Sequence, residues 1–344
     1  MMMRIDDLNG IAKRRRLDRL LIADPANVRA FTGVSCDNAV FQCARRPNGG
    51  FQPTFFTDFR YQPMVRRVAP SLPCRDVKTF ERRVDRSAGL RIGYEGSLAH
   101  ARYLKLAKLF PRAAFVDVDK DLAAARAVKR PDEIEGVRAA ERLDCEIWRT
   151  ASARFRAGMT ERQMARIVQK MMIDRGEGEA FPTIVCVGRN AAECHHEPDD
   201  TVWNGRESVL VDMGVKLNGF CSDLTRNLFP HPSRLYRQVY ALVREANRAA
   251  IAAARPGMTG RALDKVARDV IKAGGFGRCF GHALGHGVGY EVHEQPQASR
   301  RGDMVLKPGM ILTIEPGIYL EGNLGVRIED LVLITDSGCE VLSS

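Results

Sequence analysis

The sequence predicts two domains: a smaller α/β domain over residues 1–122, and an α+β domain over 123–344 in which one unit of two helices and a hairpin occurs twice. Three observations predict this. Short apolar runs alternate with a helical pattern through the first 120 positions. The tripeptide Gly-Met-Thr ends at Thr160 and again at Thr259, each time between two helical patterns. Each copy is then followed by a hairpin pattern bearing a pair of acids.

In chain order, segments 17–23, 38–43, 54–57 and 90–94 are apolar runs of strand length, and 99–109 has helical periodicity. The charged, alanine-rich segment 117–130 reads as a connection that delivers Pro131 to the first turn of a helix. In that helix Val137, Ala140, Ile147, Ala151 and Phe155 recur at helical spacing and form one apolar face. Thr160 with Gln163 has the spacing of a capping box and starts the next helix. The repeat is also visible in the acids: Thr160 and Thr259 are 99 positions apart, Asp212 and Glu315 103, Asp223 and Glu329 106. A tripeptide is little by itself, but its agreement with the acid offsets indicates a duplication about a pseudo-twofold axis, with both hairpins at the centre.

The acids carry the chemical signal. Asp212 and Asp223 are nearly symmetric about Asn218-Gly219, a pair suited to the positive φ angles of a tight hairpin turn. They are therefore expected to face each other across an antiparallel ladder, with Cβ atoms about 5 Å apart. Glu315 and Glu329 are likewise nearly symmetric about Gly322-Asn323. One such acid alone is usually solvated or salt-bridged, because buried acids are rare. Two pairs in apolar strands are different: like charges repel and each carboxylate loses water, so a compensating positive charge is required. Paired divalent cations about 3.5–4 Å apart supply it in hydrolytic sites.

Of seven histidines, five fall in two short stretches, His195-His196 and His282, His286 and His293. Around the second stretch, glycines 281, 285, 287 and 289 argue against a long helix and allow backbone to pass close to a ligand. A lone histidine is commonly a satisfied core or surface residue. Three within twelve positions amid glycines fit a borderline ligand for first-row transition metals better.

The string His282-x-x-Gly-His286-Gly-x-Gly-x-x-x-His293-Glu, followed by Thr313-Ile-Glu-Pro-Gly and Arg327-Ile-Glu-Asp, resembles the proline-specific branch of the pita-bread metallopeptidases, the Xaa-Pro aminopeptidases and Xaa-Pro dipeptidases (prolidases). The likeness extends over nearly the whole chain. Lys129-Arg-Pro-Asp-Glu-Ile-Glu-Gly resembles the opening helix of the catalytic domain, Gly188-Arg-Asn-Ala-Ala-Glu-Cys-His195 a substrate-side histidine loop, and Thr57-Asp-Phe-Arg-Tyr61 part of the N-terminal domain. Methionine aminopeptidases share the metal set but usually lack that first domain.

The resemblance implies a pita-bread catalytic domain, two divalent metal ions, a proline-containing peptide substrate and a homodimer. It assigns Asp212 to one ion, His286 and Glu315 to the other, and Asp223 and Glu329 to both. Glu315 would also carry a proton from water to the leaving prolyl nitrogen, and His195 and His293 would hydrogen-bond the scissile carbonyl. His282 and Arg327 would orient ligands and supply positive charge. Four carboxylates and one imidazole favour Mn²⁺, Co²⁺ or Fe²⁺ over a thiolate-type zinc site, with Mn²⁺ expected first and Zn²⁺ retained as an alternative. Two departures stand out. Cys194 replaces a common proline before the substrate-side histidine, and Gln297 follows Pro296 where some prolidases carry a carboxylate-binding arginine. The second departure favours an aminopeptidase acting on longer peptides over a dipeptidase. A metal-free binder on the same fold would have replaced ligand positions that are intact here.

Composition narrows the alternatives. Nine cysteines with no C-x-x-C pair suggest free thiols in a reducing compartment. The first residues lack the apolar core of a signal peptide, and no apolar run approaches the roughly 18 residues of a membrane span, so a cytoplasmic protein is expected. The net charge of +11 is spread along the chain. The basic run Lys13-Arg-Arg-Arg16 lines no aromatic platform, so no nucleic-acid partner is expected.

Overall fold

The computed structural model describes residues 3–343. The chain folds as two units, one running to Arg126 and the other from Ala127 onward. The first unit comprises α1 (Ile5–Arg14), β1 (Arg19–Ile22), α2 (Pro25–Thr32), β2 (Ala39–Arg45), β3 (Phe51–Thr57), α3 (Gln62–Val68), β4 (Cys74–Asp76), α4 (Val77–Glu81), β5 (Arg91–Tyr94), α5 (His100–Leu109), β6 (Ala114–Asp117) and α6 (Asp119–Ala127). Its six strands form one sheet in the order β4-β3-β2-β1-β5-β6. Strand β2 runs antiparallel to both neighbours. The β3–β4 and β5–β6 pairs are parallel, each joined through a helix as a parallel connection requires.

The expected strands and the helix over 99–109 are all present. The connection expected over 117–130 is instead largely α6. Asp119 and Asp121 occupy its first turn, where acids complement the helix dipole, and alanine is the strongest helix former. Leu122 is buried, and Arg126 donates to Asn27 Oδ1 at 2.9 Å. An alanine-rich charged segment was therefore a packed helix.

The second unit comprises α7 (Pro131–Ser152), α8 (Glu161–Arg175), β7 (Ile184–Val187), a 3₁₀ turn (Gly188–Ala192), β8 (Val209–Met213), β9 (Lys216–Leu217), β10 (Phe220–Cys221), β11 (Leu224–Leu228), α9 (Arg234–Ala253), α10 (Gly260–Ala273), β12 (Gly285–Gly287), β13 (Glu294–Ala298), β14 (Ile311–Ile314), β15 (Gly317–Leu320), β16 (Leu324–Arg327), β17 (Asp330–Ile334) and β18 (Cys339–Val341). Each half thus has two helices, a short strand segment, and a long hairpin broken midway. Thr160 caps α8 through the expected box, with Thr160 N donating to Gln163 Oε1 at 2.9 Å and Gln163 N to Thr160 Oγ1 at 3.2 Å. Thr259 caps α10 in the same position of the second copy, accepting from Ala262 N at 3.2 Å. Both threonines also bridge back to the strand side of their own half, Thr160 to Val202 and Thr259 to Val305.

Each half has its own core. Ile147, Val168 and Val211 belong to one, and Val243, Ala267 and Leu312 to the other, all fully buried. At roughly 1.5–3 kcal/mol for each large buried aliphatic side chain, these cores hold the hairpins in place. All five residues of the expected apolar face on α7 are buried, although Phe155 lies beyond the helix end.

Candidate metal centre

The two hairpins meet near their breaks; Asp223, Glu315 and Glu329 sit at those breaks, and Asp212 lies within β8 close by. In the first, the cross-strand partner of Asp212 is Thr225, and Asp223 lies two residues earlier, just before β11. Asp212 and Asp223 are therefore diagonal neighbours on one face, which corrects the expectation of a directly facing pair. The Asn218-Gly219 turn has the expected geometry, with φ of 49° and 70°. It closes a tight two-residue hairpin between Leu217 and Phe220, and that register sets Asp212 against Thr225. In the second hairpin Ile314 pairs with Asp330 and Gly317 with Arg327, so Glu315 and Glu329 stand opposite each other between the two ladders.

Carboxylate oxygens of Asp212, Asp223 and Glu329 all lie within 4.8 Å of one another. His286 enters from β12. Its Nε2 is 3.5 Å from Asp223 Oδ2 and 3.3 Å from Glu315 Oε1. Its Nδ1–H donates to the Gly287 carbonyl at 3.2 Å, which leaves the Nε2 lone pair facing the acids. Contrary to the sequence expectation of close approach to a ligand, glycines 285 and 287 make room for neighbouring strands. A Cβ on Gly285 would lie 2.0 Å from the Thr313 carbonyl oxygen, and one on Gly287 would lie 2.2 Å from that of Gln295.

Electrostatics point the same way. Burial, then repulsion from Glu329, pushes the Asp223 carboxyl well above its usual range. Burial, then Glu315 and Asp212, does the same to Glu329. Burial would pull the His286 imidazole down, but the hydrogen bond and charge of Glu315 reverse this and raise it. Asp212 Oδ1 is buried with no hydrogen-bond partner. A set of converging acids, one lone pair aimed at them and an orphaned oxygen fits a cation-binding centre.

Arg327 is 4% exposed and braces this cluster. It donates to Asp212 Oδ2 at 2.5 Å, to Thr225 Oγ1 at 3.0 Å and to the Tyr319 hydroxyl at 2.8 Å. Thr225 in turn donates to Glu329 Oε2 at 2.7 Å. Tyr319 donates to His282 Nε2 at 2.9 Å, and His282 Nδ1–H donates to the Ala283 carbonyl at 2.7 Å. Burial lowers the His282 imidazole, consistent with that neutral tautomer. Neither Thr225 nor Tyr319 was singled out from the sequence, since their roles depend on hairpin register. The Thr225 assignment could have been found by counting outward from the Asn218-Gly219 turn.

His195 and His293 line the same cleft of about 470 Å³, as do His282, Arg327 and all five of the converging acids and imidazole. The His286 and His293 rings are 4.4 Å apart, nearly edge to face. His196 also borders this cleft, but it is buried and its ring is turned toward Glu161, 2.8 Å away.

A duplicated helix–helix–hairpin unit that gathers four acids and an imidazole at one cleft defines a metallopeptidase architecture. Residues 135–336 match the model of metallopeptidase family M24, and residues 4–128 that of the creatinase/prolidase N-terminal domain. The chain belongs to metallopeptidase family M24, with the pita-bread catalytic fold, and is a metallopeptidase. It is 33% identical over 343 residues to an Xaa-Pro dipeptidase of Pyrococcus furiosus, covering 99% of this chain and 97% of that one. Among solved structures it resembles a prolidase from Pyrococcus furiosus at 32% identity and a TM-score of 0.90, covering 97% and 98% of the two chains. It resembles an X-Pro aminopeptidase from Thermotoga maritima at 31% identity and a TM-score of 0.87, covering 97% of each chain. The family implies divalent metal ions, and the donor set described above fits them. No described helix is long and apolar enough to cross a membrane.

Proposed function

We propose that the chain is an Xaa-Pro aminopeptidase that releases the N-terminal residue from peptides with proline in second position. The relatives support Xaa-Pro hydrolysis, since both dipeptidase and aminopeptidase names occur among them. The preference for longer peptides rests on one observation. Among the described residues lining the cleft, Arg327 is the only lysine or arginine, and it is committed to Asp212, Thr225 and Tyr319. A dipeptide's carboxylate finds no free cation there. Gln297, the cross-strand partner of His286, carries no charge.

In this reading Asp212 would hold one divalent ion, His286 and Glu315 a second, and Asp223 and Glu329 would be shared between them. When bound, such a pair acidifies a shared water towards neutral pH and offsets the acids' mutual repulsion. Mn²⁺ is the proposed ion, with Co²⁺, Fe²⁺ and Zn²⁺ as alternatives. Glu315, half-buried and hydrogen-bonded by Thr313, accepts the water's proton and delivers it to the prolyl nitrogen. His195 and His293 donate to the scissile carbonyl as negative charge develops there. An Xaa-Pro bond has no N–H to donate, so the ring must be received by shape. Phe181, Pro182, Ile184 and Val292 give the cleft an apolar wall for it.

All nine cysteines are free, which supports a reducing, cytoplasmic compartment. A homodimer is proposed on the family resemblance, to be checked by sedimentation velocity. The functional test compares Xaa-Pro-Yaa tripeptides with Xaa-Pro dipeptides in Mn²⁺. Faster release from the tripeptide is expected. Cleavage of dipeptides alone would replace the reading with a prolidase.

A further inference from the structure

Glu161 and His196 lie outside the acid cluster and have no part in the chemistry above. Glu161 opens α8 with a fully buried side chain. Its Oε1 accepts from Val187 N at 2.6 Å and Asn190 Nδ2 at 2.9 Å. Its Oε2 accepts from His196 Nε2 at 2.8 Å and Asp199 N at 3.0 Å. These donors come from both ends of one segment: Val187 and Asn190 where it leaves β7, His196 and Asp199 where it returns. Between them the segment carries Cys194 and His195 to the cleft. His196 Nδ1 lies 3.2 Å from Glu193 Oε2, which ties the middle of the segment to the same ring.

Glu161, His196 and Asp199 are close enough to suggest a second metal site, their ligand atoms lying within 4.8 Å. The donor count argues against it. Both Glu161 oxygens are taken, two of their four partners being backbone N–H groups that cannot turn away. An oxygen of Asp199 already accepts from Thr201 N at 2.7 Å. A cation there would meet N–H hydrogens in place of lone pairs.

We propose that Glu161 and His196 are positioning residues, a buried clip that fixes segment 188–199 and so sets His195 in the cleft that His293 also lines. Neighbours in sequence and both bordering the cleft, the two histidines differ in exposure: His196 is buried against Glu161, whereas His195 is exposed. A misplacement of about 1 Å at a group that contacts the reacting carbonyl can cost on the order of a hundredfold in rate. The inference rests on the hydrolytic role proposed for His195.

The test is a double-mutant cycle on tripeptide hydrolysis by the full-length, Mn²⁺-loaded protein. Glu161→Gln and His196→Ala are each expected to lower kcat/KM by about tenfold to a hundredfold with metal content unchanged. In a His195→Ala background each is expected to change it by less than about twofold. His196→Gln, whose amide can still donate to Glu161, is expected to recover most of the loss. Equal losses in both backgrounds, or no loss from either variant, would overturn the clip, and a lost metal equivalent in Glu161→Gln would replace it with a cation site. Hydrogen exchange separates this from a failure of the hydrolytic reading. If the unmodified protein releases nothing, faster exchange across residues 188–199 in His196→Ala still supports the clip, and unchanged exchange overturns it.

Discussion

Arg327, itself buried, and the half-buried Asp212 form a guanidinium–carboxylate pair, 2.5 Å apart, that joins the two hairpins. The pair holds one oxygen of Asp212 and leaves Oδ1 without a partner. The cluster therefore presents an oriented ligand beside acids whose charge is not otherwise offset.

Removing that brace should affect turnover more than metal retention. Arg327→Met is expected to lower kcat about 10- to 100-fold, the usual cost of losing a group that orients a ligand. Mn²⁺ content by atomic absorption is expected to stay near the unmodified level. Unchanged kcat would show that Asp212 needs no orientation from Arg327.

Tyr319 tests the same network one step further out. Tyr319→Phe removes the hydroxyl that accepts from Arg327 and donates to His282, leaving a buried Arg327 donor and the His282 Nε2 acceptor unsatisfied at about 1–3 kcal/mol each. A thermal shift of several degrees to lower temperature, together with reduced turnover, is the expected result. A variant with unaltered melting and rate would show that the chain of hydrogen bonds is incidental.

The raised carboxyls of Asp223 and Glu329 give a pH dependence of definite sign. Their folded values lie above the unfolded ones of about 4. Their contribution to stability is thus fully present below about pH 4 and is lost as pH rises through the folded values. For metal-free protein, the stability of the unmodified chain relative to Asp223→Asn should fall as pH rises above about 4. Mn²⁺ should offset that loss, so its stabilising effect should grow with pH. A difference that is flat with pH, measured by denaturant unfolding, would count against mutual repulsion in the cluster.

The glycines of β12 give a packing prediction. Gly285→Ala places a methyl 2.0 Å from a backbone oxygen of β14, which cannot rotate away. A loss of about 1–3 kcal/mol or more is expected, as for other overpacked sites, along with displacement of His286. Full stability and activity in that variant would refute the close-packed account of β12.

Much of the site was legible because hairpin arithmetic is local. The Asn218-Gly219 turn and two acid pairs at matched offsets sufficed to bring Asp212, Asp223, Glu315 and Glu329 together. Approximate symmetry about a turn does not separate Asp223 from Thr225 as the partner of Asp212, because a shift of two positions keeps a side chain on the same face. His196 was not assigned a role because its partner, Glu161, is 35 residues away on another element. Nothing in local spacing connects them. Segment 117–130 is ambiguous in sequence for a different reason: charge and alanine content suit both a linker and a surface helix, and burial of Leu122 decides between them.

The most direct test is a metal count on stripped and reloaded protein. Mn²⁺ titration followed by dialysis and elemental analysis should give two equivalents per chain, and fewer than one after Asp223→Ala combined with Glu329→Ala. Retention of both equivalents by the double variant, or no binding by the unmodified chain, would contradict a centre built from the acids of the two hairpins.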